Sequence, residues 1–197
     1  MRSTVFIVDL LLNGGFSLKK RFIADIILLI AAGVLVWLDQ FTKAMAVRHL
    51  AEGPFVIWKG VLKLVSHTNS GAVWGILSGK TLFLAIVTFI VLAVFLVLFF
   101  RISWEYRRLR SLKILLVFVM AGAVGNLIDR LRLSYVIDFI YFELIDFPVF
   151  NVADCYITVS MFVLLILVLF FFKDEDYNLI WPKKSQSSAT DSQTDSE

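Results

Sequence analysis

Two carboxylates are placed where a carboxylate is hard to excuse. Asp138 interrupts the β-branched stretch VIDF, and Asp154 closes FNVAD directly before an uncharged run that reaches Phe172. Ionisable groups beside membrane-length apolar runs are functional-site candidates by default. Two carboxylates that share one proton can activate water and protonate a leaving group, so the pair points to hydrolysis. No metal-ligand pattern competes with it. Cys155 is the one cysteine, His49 and His67 are the only histidines, and no HExxH spacing exists. An intrachain disulfide and a multi-cysteine zinc site are excluded. These three residues read as structural or incidental, and neither a metal nor another cofactor is expected.

The elements that must hold this pair are membrane spans. The 197 residues are 59% hydrophobic and 18% charged, with a mean hydropathy of +0.85. A soluble domain is nearer half apolar and a quarter charged. Four stretches approach the roughly twenty apolar residues that cross a bilayer: Phe22 to Leu38, Thr81 to Phe100, Leu112 to Ile128, and Cys155 to Phe172. Asp25 lies close to the start of the first. Lys113 sits at the edge of the third, where it can snorkel. The net charge of +3 is spread beside apolar runs and forms no patch for nucleic acid.

Most Lys and Arg residues precede the first span (Arg2, Lys19, Lys20, Arg21), crowd the connection between the second and third (Arg101, Arg107, Arg108, Arg110, Lys113), or follow the fourth (Lys173, Lys183, Lys184). The positive-inside rule then puts both termini and the middle loop in the cytoplasm. A cleaved signal peptide is not expected, because Asp39 and Lys43 follow the first apolar run in place of a small-residue site. Val5 to Leu12 is too short to span and fits an interfacial segment. Ser185 to Glu197 is Ser/Thr/Asp-rich and reads as disordered. Phe55 to Val65, broken by Gly60, predicts a bent strand or hairpin, and Tyr135 to Phe142 a second strand. The expected fold is a membrane all-α bundle of four transmembrane helices with a small extracytoplasmic β-sheet. It divides into an N-terminal extension (1–21), a transmembrane domain (22–172) and a tail (173–197).

This topology gathers the polar residues at the outer membrane face: Asp39 and Lys43, Asn69, Asn126, Asp129 and Arg130, Asp138, Asn151 and Asp154. Each has a plainer reading. Asp39 and Lys43 form a favourable i,i+4 pair. Asn126 and Asp129 share a helix face, and Arg130 suits an interfacial anchor. Asn151 with Asp154 fits an N-cap with an acid at N3. Asn69-Ser70-Gly71 fits a turn. Only Asp138 lacks an easy structural excuse.

Taken in order, DQFTK (Asp39 to Lys43), TNSGAVWG (Thr68 to Gly75), GNLIDR (Gly125 to Arg130), VIDF (Val136 to Phe139) and FNVAD (Phe150 to Asp154) resemble the motif set of the lipoprotein signal peptidases, or signal peptidase II. The similarity runs from about Phe22 to Phe172. It implies an aspartic-type endopeptidase of the bacterial inner membrane that removes signal peptides from diacylglyceryl-modified prolipoproteins, cutting before the lipidated cysteine. By motif, the implied catalytic pair is Asp138 and Asp154. Asn69, Asn126, Arg130 and Asn151 match positions that bind substrate or support the pair. Asp39, Lys43 and Asp129 match structural or orienting positions. The implied partners are the prolipoproteins and membrane lipids, with a monomer as the working unit. Cys155 and Trp74 depart from the residues common at their positions, and both terminal extensions exceed the family pattern.

In the implied reaction the ionised carboxylate takes a proton from water and the protonated one donates to the carbonyl oxygen and then to nitrogen. Asp154, at a helix N-terminus, is favoured as the more acidic. Trp58 or Trp74 could close over the site. The rival readings are a proton-coupled transporter, which would place carboxylates near the midplane and repeat its halves, and a membrane interaction protein, which needs no paired Asp. The sequence has neither a visible repeat nor midplane carboxylates.

Overall fold

The computed structural model describes residues 17–71, 79–173, 176 and 180. The interfacial segment expected at Val5 to Leu12, the tail expected to be disordered from Ser185 to Glu197, and Trp74 lie outside the described residues.

Among the described residues, four helices are each long and apolar enough to cross a membrane: α1 (Leu18–His49), α2 (Thr81–Arg101), α3 (Arg107–Leu133) and α4 (Val152–Phe170). The hub is α3. Its apolar window is 56% buried, against 11% in α2 and in α4, and it packs on all three other helices. The outer faces of α2 and α4 carry exposed Phe, Leu, Ile and Val, such as Phe89, Val97, Phe162 and Leu169. A helix that is apolar all round yet little buried by protein is covered by lipid.

Two glycines let α3 sit deep against its neighbours. A Cβ at Gly122 would fall 2.4 Å from the Ala153 carbonyl oxygen, and one at Gly125 would fall 2.4 Å from Asp39 Oδ2. Both contacts are far inside van der Waals distance, so these positions exclude even alanine without movement of α4 or of the Asp39 carboxylate.

The first span is longer than expected. Asp39 and Lys43 do not end it; they pair with each other one turn apart inside α1, which runs on to His49. Lys113 corrects a second expectation. It does not snorkel. It is 1% exposed, with Nζ 2.6 Å from Asp25 Oδ1 and 3.2 Å from the Ile102 carbonyl. The ammonium also lies over the rings of Phe99 and Trp104 at 4.6 and 4.9 Å. Trp104 Nε1 donates to the same Asp25 carboxylate at 2.8 Å. An acid on α1 facing a base on α3 lets both stay inside, whereas either alone would have to reach for water.

At the other end of the bundle lies a three-stranded antiparallel sheet of order β1-β2-β3, with β1 Phe55–Trp58, β2 Leu62–Asn69 and β3 Val136–Phe142. Gly60 turns the β1–β2 hairpin with φ +73°, a left-handed conformation that glycine adopts without strain. The β2–β3 register passes from Leu64 opposite Ile140 to His67 opposite Asp138. One extra residue on β2 is therefore bulged out between them. The bulge decides which side chains meet β3, because a one-residue slip turns a strand over. With it, Asn69 and His67 share a face with Asp138. Without it, Ser66 and Thr68 would.

Candidate active site

Four elements converge on the two carboxylates. β3 supplies Asp138, and the first turn of α4 supplies Asp154. α4 begins with a capping box: Asn151 Oδ1 accepts from the Asp154 amide, and Asp154 Oδ2 accepts from the Asn151 amide, both at 3.1 Å. The capping role anticipated for Asn151 and Asp154 is thus present together with their place in the site.

Each carboxylate oxygen receives one N–H. Asn151 Nδ2 donates to Asp138 Oδ1 at 2.7 Å, and Asn69 Nδ2 donates to Asp138 Oδ2 at 3.0 Å. Asn126 Nδ2 donates to Asp154 Oδ1 at 2.8 Å, beside the Asn151 amide on Oδ2. Asn151 is the link, since its side chain caps the helix carrying Asp154 and donates to Asp138. Asp138 is 1% exposed. Burial and the nearby Asp154 charge push its carboxyl up to about 6, against the opposing pull of the Asn69 and Asn151 donors. Its carboxyl therefore keeps a proton to higher pH than an ordinary aspartate does.

Behind this layer is a buried ionic one. Lys43, 1% exposed, sends its three N–H bonds to Asp39 Oδ2 at 2.9 Å, Asp129 Oδ2 at 2.9 Å and Asn126 Oδ1 at 3.0 Å. The bond to Asn126 turns that amide so that its Nδ2 faces Asp154. Asp39 Oδ1 accepts from the Ala153 amide at 3.0 Å. A carboxylate on α1 thereby caps α4 from outside, in keeping with the positive end of the helix dipole. Asp129 Oδ2 accepts from the Ile137 amide at 3.2 Å and ties α3 to β3.

Arg130, half-buried on α3, lines the same cleft and makes no hydrogen bond or close ion pair among the described residues. The nine polar residues expected together, from Asp39 to Asp154, lie in one cluster, whereas Asp25 and Lys113 pair at the opposite end of the bundle. Two participants were missed. Gln40 Nε2 lies 2.9 Å from Asp129 Oδ1, 3.1 Å from the Gly125 carbonyl and 3.2 Å from Asp39 Oδ2. It stands inside DQFTK, and a polar amide beside Asp39 was the available signal. His67, read from the sequence as structural or incidental, lines the cleft. Its signal lay in the strand register, which the sequence does not display. Trp58 is 68% exposed on the edge strand and is not part of the cleft lining, so it does not close over the site.

The cleft has a volume of about 1320 Å³. One stripe from each of three helices forms its apolar part: Val87, Val91 and Phe95 of α2, Val119 and Ala123 of α3, and Ile157 and Met161 of α4. α3 is the floor, and the groove lies between α2 and α4. Its polar part is lined by Asn69, Asn126, Arg130, Asp138 and Asp154, with Tyr141 and Asp146 to Phe150 alongside.

The Asn69 contact sets up a pH test. Its N–H favours the ionised form of Asp138, so Asn69→Ala should raise that carboxyl further above about 6. If Asp138 must be protonated, activity falls as pH rises through its pKa. The alkaline limb of the kcat/KM profile should then move to higher pH in Asn69→Ala, alongside a lower maximum rate. The limb belongs to the coupled pair. A shift to lower pH would contradict this placement of the proton.

Four membrane-length helices, with two aspartates joined through Asn151 in one cleft, define a multi-pass membrane protein. Comparison with known proteins supplies the family. The profile described as signal peptidase (SPase) II matches residues 24–171, so the chain belongs to the signal peptidase II family and is a peptidase. It is 37% identical over 162 residues to a lipoprotein signal peptidase of Streptococcus pyogenes serotype M5 (strain Manfredo), covering 81% of this chain and 97% of the relative. The serotype M1 counterpart is 38% identical over the same coverage. Two solved structures described as bacterial membrane enzymes, at 2.3 and 1.9 Å resolution, superpose with TM-scores of 0.64 and 0.62 at 32% and 31% identity. They cover 72% and 74% of this chain and 87% and 94% of their own.

Proposed function

We propose that this peptidase is of the aspartic type and removes signal peptides from diacylglyceryl-modified prolipoproteins, cutting before the lipidated cysteine. It works from the bacterial inner membrane, with both termini cytoplasmic and Asp138 and Asp154 at the outer face. The observation that carries this reading is the joining of the two carboxylates by Asn151 at the polar end of an apolar groove.

Asp138, held up near 6, carries the shared proton, and Asp154 takes a proton from water. The resulting hydroxide adds to the scissile carbonyl while Asp138 protonates its oxygen. The proton held by Asp154 then passes to the leaving nitrogen as the C–N bond breaks, and a gem-diol hydroxyl returns its proton to Asp138 as the carboxylic acid forms. The Arg130 guanidinium, which lines the same cleft, steadies the developing oxygen charge. A signal helix is itself apolar and fits between α2 and α4 with its own backbone hydrogen bonds intact. Its cleavage site must leave the hydrocarbon, where unsatisfied backbone groups cost several kcal/mol each. Two acyl chains on the cysteine hold the bond at that depth, at roughly 0.8 kcal/mol per buried CH₂.

The test is purified protein with one prolipoprotein, offered with and without its diacylglyceryl group in the same bilayer. Cleavage before the cysteine is expected for the lipidated form, at least about tenfold faster than for the bare one, a modest share of that anchoring energy. Equal rates would refute the depth argument, and no cleavage of either would refute the assignment.

A further inference from the structure

Around the two carboxylates almost every polar side chain is already committed within the protein. Lys43 has three acceptors for three N–H bonds. Asn126 and Asn151 each donate and accept. Asn69 gives its N–H to Asp138 and accepts from the Gly71 amide at 3.0 Å. His67 is different. It lines the cleft, is exposed, and makes no hydrogen bond, ion pair or ring contact among the described residues.

His67 is also very close to the chemistry. It is the cross-strand partner of Asp138. Directly opposed residues in an antiparallel pair project from the same face, with Cβ atoms about 4.5–5.5 Å apart. The β2 bulge creates this arrangement. The bulge that turns Asn69 toward Asp138 also turns His67 to that face, and Asn69 uses the opportunity while His67 keeps its ring free.

We propose that His67 is a substrate-binding residue that hydrogen-bonds the main chain beyond the modified cysteine, on the mature side of the prolipoprotein. This rests on the peptidase reading above. The side is set by the geometry of the cleft. The apolar stripes of α2 and α4 lie on the helix side of the carboxylates, and His67 lies on the sheet side. A chain that leaves the groove at Asp138 and Asp154 next passes β2. A neutral imidazole offers one N–H and one lone pair, so it can serve a backbone carbonyl or amide.

The experiment is a cycle of wild type, His67→Ala and His67→Asn against two lipidated peptides. One continues several residues beyond the modified cysteine, and the other stops at it. With the long peptide, His67→Ala should raise KM about five- to tenfold, the worth of one hydrogen bond, with the loss carried by KM and not by kcat. His67→Asn should recover most of it. With the short peptide, wild type and His67→Ala should be alike. An unchanged KM on the long peptide would overturn the proposal. So would a loss that is equal on both peptides or that tracks a lowered melting temperature. Failure of wild type to cut either peptide would refute the peptidase assignment itself, a result separable from all of these.

Discussion

Asp138→Asn and Asp154→Asn are each expected to lower cleavage of a lipidated prolipoprotein by roughly 10²–10⁴-fold, the range of a single general acid or base. The two losses should not multiply in the double variant, because the carboxylates act on one proton and one water. The folded state should survive each change. Asparagine keeps the shape of aspartate, and the carbonyl oxygen of its amide can still accept an N–H. At position 138 the acceptors serve Asn151 and Asn69. At position 154 they serve Asn126 and the Asn151 amide. One oxygen in each variant becomes an NH₂ group facing a former donor, a local conflict worth about 1–3 kcal/mol. Cleavage and thermal melting should be measured on the same preparations. Either variant retaining a tenth of wild-type activity at normal melting temperature would remove that residue from the catalytic pair. Loss of the folded state would mean that the carboxylate is needed for the architecture first.

The spans were legible because composition alone reports them. Thr81 to Phe100 was expected and α2 is Thr81–Arg101, since a run without a charge has no other home. Where a charge entered, the reading failed in one direction. From composition, Asp39 and Lys43 mark the end of a span, and Lys113 is a side chain reaching for water. All three are buried against partners on other helices. A single sequence shows the expense of a buried charge and not the neighbour that offsets it. Motif order brought the candidate site residues into view as a set, and the structure gathers them at one end of the bundle. The wiring among them was out of reach. Which amide faces which carboxylate depends on the β2 bulge, and the register between Leu64 and His67 leaves no mark in composition or period.

Lys43→Met gives the second large effect, and it tests that wiring. Methionine matches the length of the stem and removes the ammonium. Asp39 and Asp129 are then left facing each other's side of a site where both are almost fully buried. Breaking a buried ion pair by removing one partner costs about 3–5 kcal/mol. For a chain of this size that corresponds to a fall in melting temperature of about 10 °C or more. Activity should fall further than stability explains. Asn126 loses one of the two donors on its carbonyl, keeping Asn151 Nδ2 at 3.1 Å, so the amide that faces Asp154 is held less firmly. Asp39 loses the charge that holds it against the Ala153 amide at the start of α4. The comparison that separates the two losses is cleavage measured well below the melting temperature of the variant, where the folded fraction equals that of wild type. A rate still depressed by about tenfold or more there, with little change in KM, would identify Lys43 as a positioning residue for the Asp154 side of the pair. A variant that melts like wild type would show that the ammonium is not the hub of the buried layer, and the route from α1 through Asn126 to Asp154 would have to be abandoned.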